Sequence, residues 1–202
     1  MGRCAAAFYS QVAVLLSIAS LTGCQAIQPV LGDRLSLHAA NVDLTGLGPD
    51  FTVTDLNVRA AIPHGWRAMD VDFTPLYIHE QWRSPHHNTG VGVAFIHLPL
   101  PMSAKALVWF ARQEYSRQVV TEHASDAKLQ GEWTDALGRE WFEGENAKYH
   151  IRGYVVTDGL SAWAVYSGYR LRTPPTKKEY TLALRSMESI IPLPMSQEVA
   201  QR

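Results

Sequence analysis

Tyr149-His150-Ile151-Arg152-Gly153-Tyr154-Val155-Val156-Thr157-Asp158-Gly159-Leu160-Ser161-Ala162-Trp163-Ala164-Val165-Tyr166 is the stretch that decides the fold. Two apolar alternations, Tyr149 to Val156 and Ala162 to Leu171, flank Thr157-Asp158-Gly159. Asp-Gly between such runs is a strong hairpin signal, because both residues tolerate positive φ. Just upstream, Glu132-Trp133-Thr134 and Glu140-Trp141-Phe142-Glu143 flank a second turn at Leu137-Gly138. The polar segment His123 to Gln130 reads as a loop. The block from 132 to 171 is therefore expected to be an antiparallel meander.

Pro174 and Pro175 stop the sheet. Thr176-Lys177-Lys178-Glu179 then forms a capping-box pattern, in which hydroxyl and carboxylate each satisfy an end N–H. Tyr180, Leu184, Met187 and Ile191 line one face of a closing helix over 177–191. Pro192 and Pro194 end it, and 194–202 reads as a tail. On the other side, Ser103 is an N-cap for a helix over 104–121. Ala104, Leu107, Val108, Ala111, Tyr115 and Val119 recur there at helical spacing. Before it, Leu76 to Trp82 and Val91 to Leu98 form a hairpin around the turn-rich loop 83–90. Leu56, Val58, Ala60 and Ile62 alternate as a half-buried strand, and Pro63-His64-Gly65-Trp66 breaks it.

The order is strands, helix, antiparallel strands, helix. That is α+β: an antiparallel sheet with two principal amphipathic helices packed on it, in one domain over 51–193. The Ile62-Pro63-His64-Gly65-Trp66 turn, the hairpin, the Pro101-Met102-Ser103 helix start, the late meander and the closing helix resemble the PsbP-like (DcrB-like) fold. The resemblance covers about Phe51 to Leu193 and implies an α/β/α sandwich. It further implies an adaptor or assembly factor more often than an enzyme, and it carries no functional residues over.

The chain begins with a different kind of signal. Met1-Gly2-Arg3 carries one positive charge, and Ala5 to Leu21 carries none. Leu21-Thr22-Gly23-Cys24 follows and resembles a bacterial lipobox. An apolar residue, two small ones and a cysteine suit cleavage before the thiol and its acylation. Residues 1–23 are thus expected to be a lipoprotein signal peptide and Cys24 the lipid attachment site. A membrane-spanning helix needs ~20 apolar residues, and this run is interrupted by Tyr9, Ser10 and Gln11. Several acyl chains anchor stably where one does not. Gln25 in place of Asp resembles an outer-membrane address in Gram-negative sorting. Residues 24–50, punctuated by Pro29, Gly32, Gly46, Gly48 and Pro49, read as a tether. A flexible chain of about 25 residues spans roughly 25–30 Å.

Composition narrows the function. The 202 residues carry 18 basic and 19 acidic side chains. Loss of Arg3 with the signal leaves 17 basic, and no basic stripe marks a nucleic-acid partner. Of the two cysteines, Cys4 leaves with the signal and Cys24 is acylated. The exported domain then has no disulfide and depends on packing.

Three constellations invite chemistry. His79, His86, His87 and His97, with Glu80, could ligate zinc or copper if the hairpin register puts His79 and His97 on one face. No fixed ligand spacing supports this, so a turn-rich loop with two ordinary strand histidines is the plainer reading and no metal site is assigned. Gly159-Leu160-Ser161-Ala162-Trp163 has the first glycine of a nucleophile elbow and lacks the last. Its context is a hairpin, not a strand-to-helix turn. Trp66, Trp82, Trp109, Trp133, Trp141 and Trp163 could line a ligand pocket, but core packing explains them as well. Lys177 and Lys178 sit at the helix end less favourable for cations and read as solvated. No catalytic residue, cofactor or metal ligand is assigned. Two functions remain in view. One is a non-catalytic binding or assembly module, lipid-anchored in the cell envelope and meeting an envelope protein partner. The other is an envelope hydrolase, possibly metal-dependent, whose Glu80, His79 and Ser161 come together in space.

Overall fold

The computed structural model describes residues 43–69, 72–74, 77–109, 128–145 and 148–193. The signal peptide, Cys24, the tether as far as 42, the span 110–121 of the middle helix and the tail 194–202 lie outside the described residues.

The architecture is α+β with antiparallel sheets, as the element order implies. The large sheet runs β3 (Arg67–Ala68), β5 (Tyr77–Arg83), β6 (Thr89–His97), β10 (Ser161–Arg170), β9 (Tyr149–Thr157), β8 (Glu140–Glu145) and β7 (Lys128–Thr134), with β4 (Asp72–Thr74) also pairing β5. Every pairing is antiparallel. The decisive hairpin forms as read: β9 pairs β10, Val156 facing Trp163 and Tyr154 facing Val165. Asp158 Oδ1 accepts from the Leu160 and Ser161 N–H groups, and Gly159 takes φ 104°. A side-chain carboxylate thus folds the backbone of the turn, which is why Asp precedes Gly there.

A second sheet joins the two ends of the domain. β1 (Phe51–Val53) pairs β2 (Val58–Ala60), and β2 pairs β11 (Ile191–Pro192). Asn57, at φ 51°, donates through Nδ2 to the Leu193 carbonyl, while Leu193 N–H donates to Asn57 O. The expected first strand is therefore two short ones around a turn, and Leu56 and Ile62 are buried outside them. Their alternation reported burial correctly, but backbone pairing stops where the turn begins.

The closing helix spans Lys177–Ser189. Thr176 Oγ1 accepts from Glu179 N–H at 3.2 Å and Glu179 Oε2 accepts from Thr176 N–H at 2.9 Å, completing the capping box. The helix ends two residues before the expected Ile191, because Ile190 turns extended and Ile191 and Pro192 join β2. Pro192 is tolerated in so short a strand at the sheet's edge. Of the middle helix, residues 104–109 are described and helical, with the Ser103 hydroxyl accepting from Ala106 N–H. Strand β7 takes in residues 128–130, which polarity had assigned to a loop. The strand is set by its backbone pairing to β8, Lys128 facing Glu145 and Leu129 facing Gly144, and not by apolar period.

The core lies between the large sheet and the closing helix. Val91, Val93 and Phe95 of β6, Trp163 and Val165 of β10, Tyr154 and Val156 of β9, and Trp141 of β8 share one face. Ala183, Met187 and Ile190 pack onto them from the helix. Each such aliphatic side chain contributes about 1.5–3 kcal/mol on burial. Two serines join helix to strand: Ser186 Oγ donates to Ala61 O at 2.8 Å, and Ser189 Oγ accepts from Ala61 N–H at 3.1 Å. Ala61 lies just past β2, so these hydroxyls replace the ladder bonds its backbone lacks.

The segment before Phe51 is not all tether. Leu47 is buried and bridges Pro63, and Gly48 N–H donates to Ile62 O. Arg185 of the closing helix pairs with Asp43 and donates to Thr45 O. The stretch expected to reach Asp50 as tether therefore docks on the domain from Asp43 onward.

Candidate functional site

Register decides which side chains meet. In the hairpin β5–β6, His79 faces Ala94, Glu80 faces Val93 and Arg83 faces Gly90. Odd residues on β5 thus oppose even residues on β6. His79 stands on the sheet's far face, away from the core, and His97 stands on the core face beside Phe95 (ring centroids 4.6 Å). This corrects the expectation that the two share a face: a one-residue difference in register reverses every side chain. His86 and His87 occupy the loop, with His87 at φ 56°. Among the described residues no three His, Cys, Asp or Glu side chains gather as metal ligands do.

The candidate triad is likewise dispersed. Glu80 lies on the core face, His79 on the far face, and Ser161 opposite His97 at the start of β10. Burial, and then the negative charge of Asp55, raise the Glu80 carboxyl above its ordinary range. Along its row Glu80 is followed by Val93 and Val165, and the first hydroxyl, that of Tyr154, is three strands away.

Trp82, Trp141 and Trp163 are buried in the core, and Trp66 packs against it. Trp163 Nε1 donates to Leu56 O at 2.8 Å, binding the core to the first turn. Trp133 is half exposed at the β7 edge and stacks on Trp141 (5.7 Å, 4°). Trp109 is exposed. The six do not converge on one pocket.

Among the described residues, two of the polar clusters that the sequence did not announce bear on function. In the first, Arg139 is 4% exposed and pairs with Asp135 Oδ2 at 2.6 Å and Glu188 Oε2 at 2.8 Å. Its guanidinium also lies over the rings of Trp141 (5.0 Å) and Tyr154 (4.8 Å). Burial pushes the Asp135 carboxyl up, but hydrogen bonds from Trp141 and Arg139, with the Arg139 charge, more than offset it and leave it lowered. The Tyr154 hydroxyl, raised by burial, is 2.9 Å from Met187 O and 3.2 Å from Ile190 O at the helix end. The cluster ties the β7–β8 turn to the closing helix and uses its own charges up.

The second cluster is a trough on the far face. Arg83, Gly90, Gly168 and Ile151 form one row across β5, β6, β10 and β9. Two adjacent strands therefore carry no side chain in that row. The Arg83 and Gln81 side chains reach over Gly90, and beside them the floor is bare backbone at Gly168, about one strand (~4.8 Å) wide. The neighbouring row is Gln81, Gly92, Tyr166 and Gly153, in which the Tyr166 ring lies over Gly92 and walls one side. Tyr166 hydroxyl contacts His79 Nε2, so His79 holds that wall in place. Arg170 and Tyr149, paired in the third row, wall the other side, with the guanidinium 5.9 Å from the ring centre. The cleft has a volume of about 280 Å³, and His87, Asn88 and Thr89, with His150 and Tyr169, complete its lining. The only signal for it in sequence was glycine within strands, which marks close backbone approach. Its location needed the register.

No protein-family model matches the sequence, and no curated protein sequence does. Among solved structures the chain is similar to the solution structure of cyanobacterial PsbP (CyanoP) from Synechocystis. The two are 12% identical, the match covers 85% of this chain and 98% of that one, and the TM-score is 0.49.

Proposed function

We propose that this chain is a lipid-anchored lipoprotein of the bacterial cell envelope, acting as a non-catalytic binding or assembly module. Acylated Cys24 holds it in the membrane, by its Gln25 signal the outer one, and its domain meets an envelope protein partner. The observation that carries the non-catalytic reading is the dispersal of Glu80, His79 and Ser161 over two faces and different rows of the sheet. General acid–base or nucleophilic catalysis requires such groups within hydrogen-bond reach of one another. The buried ionisable cluster at Arg139 supports the same reading, since its carboxylates and guanidinium neutralise one another inside the fold.

The docked segment from Asp43 adds an orientation. The anchor side of the domain is the side of the closing helix that carries Leu182 and Arg185, since Gly46 lies against Leu182 and Asp43 against Arg185. The 19 residues from Cys24 to Asp43 set an upper limit on the reach, ~65 Å for a fully extended chain. A surface presented to a partner then stands within several nanometres of the lipid.

In-cell crosslinking followed by recovery of the tagged lipoprotein tests the module. The expected result is one reproducible envelope protein, lost when exposed domain residues are altered. Absence of any such partner, with hydrolase turnover that fails on replacing His79 or Glu80, would establish the enzyme instead. The anchor is tested separately: Cys24→Ala is expected to abolish acyl labelling and leave unprocessed precursor. Labelling that persists would exclude this attachment site.

A further inference from the structure

We propose that the trough between Arg83 and Arg170 binds an oxyanion, the phosphate or carboxylate group of a small ligand. This inference rests on the cleft alone and not on the anchor or the protein partner.

Four features point the same way. First, the space is built by register: Gly90 and Gly168 are paired directly, the Arg83 and Gln81 side chains reach over Gly90, and beside them the main chain at Gly168 is left for a ligand to lie against. A Cβ on Gly168 would lie 3.0 Å from His150 O, and one on Gly90 2.9 Å from Trp82 O, so larger side chains do not fit there. Second, the lining contains two arginines and no Asp or Glu, in a chain whose formal charge is −1. Among the described residues neither guanidinium has a carboxylate partner. This contrasts with Arg139, which has two. Third, both cations are oriented. Arg83 Nε donates to Gln81 Oε1 at 3.0 Å, which fixes the plane of the fork, and Arg170 is steered by the Tyr149 ring. A planar guanidinium with one edge held presents its remaining N–H groups in the geometry that suits a two-oxygen anion. Fourth, aromatic walls at Tyr149 and Tyr166 suit an apolar or ring-bearing body attached to the anionic group. The volume, about 280 Å³, lies near the lower end for small-molecule sites at ~300 Å³ and above.

The shared chemistry could reach the cleft from a soluble metabolite-sized anion or from the headgroup of an anionic lipid. The experiment separates them. Purified full-length lipoprotein in neutral detergent micelles is titrated with phenyl phosphate, with benzoate, and with benzyl alcohol as the uncharged control. In a parallel arm the micelles are doped with phosphatidylglycerol. Saturable binding of phenyl phosphate or benzoate, absent for benzyl alcohol, is the expected result and assigns a soluble source. Saturable binding in the doped micelles alone assigns a lipid source. Arg83→Gln with Arg170→Gln is expected to weaken binding by about tenfold or more, the loss that follows removal of charge-assisted hydrogen bonds. Thermal unfolding of that variant should match the parent, since both residues lie outside the core. Should the double variant stop folding, Tyr149→Leu, which keeps both charges and removes a wall, replaces it and should weaken phenyl phosphate more than inorganic phosphate. Binding that is unchanged in the variants, unsaturable, or equal for benzyl alcohol overturns the proposal.

Discussion

Arg139 and Arg83 are the same residue type in opposite settings. Arg139 is 4% exposed, gripped by Asp135 and Glu188 and covered by the faces of Trp141 and Tyr154. Arg83 stands half exposed at the lip of a glycine-floored trough, held, among the described residues, by Gln81 on its own strand. The first arginine is consumed by the fold, and the second is oriented with its charge unspent. The contrast teaches that partners, not burial or residue type alone, separate a structural charge from a recognising one.

The sharpest way to break the comparison is Arg139→Ala. It strands two carboxylates beside an aromatic core and should cost about 3–5 kcal/mol in urea unfolding. Acidification should reach the same ties. Asp135 is lowered in the fold, so its contribution is present above its unfolded pKa and lost as pH falls through the folded value. Stability is therefore expected to drop below the ordinary carboxylate range, and the drop should be shallower in Asp135→Asn.

Tyr154→Phe is the next largest. It leaves the Met187 and Ile190 carbonyls without their hydroxyl donor in a buried site. A loss of about 1–3 kcal/mol is expected, read as a lower urea midpoint with an unchanged slope.

Smaller, and opposite in sign, is Glu80→Gln. Glu80 is raised by burial and by Asp55, so its charged form is disfavoured in the folded chain. The carboxyl favours folding below its unfolded pKa, and that contribution fades as pH rises through the folded value. Glu80→Gln should stabilise the protein slightly at neutral pH. The gain should vanish below about pH 4, where both forms are neutral.

Arg83→Gln and Arg170→Gln complete the series. Each should change stability by no more than about 0.5 kcal/mol, the usual range for surface substitutions. A loss as large as that from Arg139→Ala would make these arginines structural after all.

Much of the fold was legible because its signals are local. Asp158-Gly159 names a turn, Thr176 and Glu179 name a helix start, and the apolar runs of β6, β9 and β10 name strands. β1, β3, β4 and β11 were not legible. Each has two or three residues, and their pairing comes from tertiary neighbours rather than from period. The site was less legible still. His79 and His97 were the conspicuous residues, and they diverge because their parity is set by partner strands. The trough is made by Gly90 meeting Gly168, seventy-eight positions apart in sequence, and a glycine pair announces nothing until the register aligns it.

The clasp of β11 on β2 has a bearing on how the chain is made. β2 emerges from the ribosome well before residues 191–193, so its second edge stays unpaired while more than a hundred residues follow. Contacts so distant in sequence form late and slowly. During that interval an exposed strand edge is open to wrong pairing with other chains. A chaperone that covers Val58–Ala60 until synthesis ends, or a stop codon placed just before Ile191, would act on the same vulnerable moment from opposite directions.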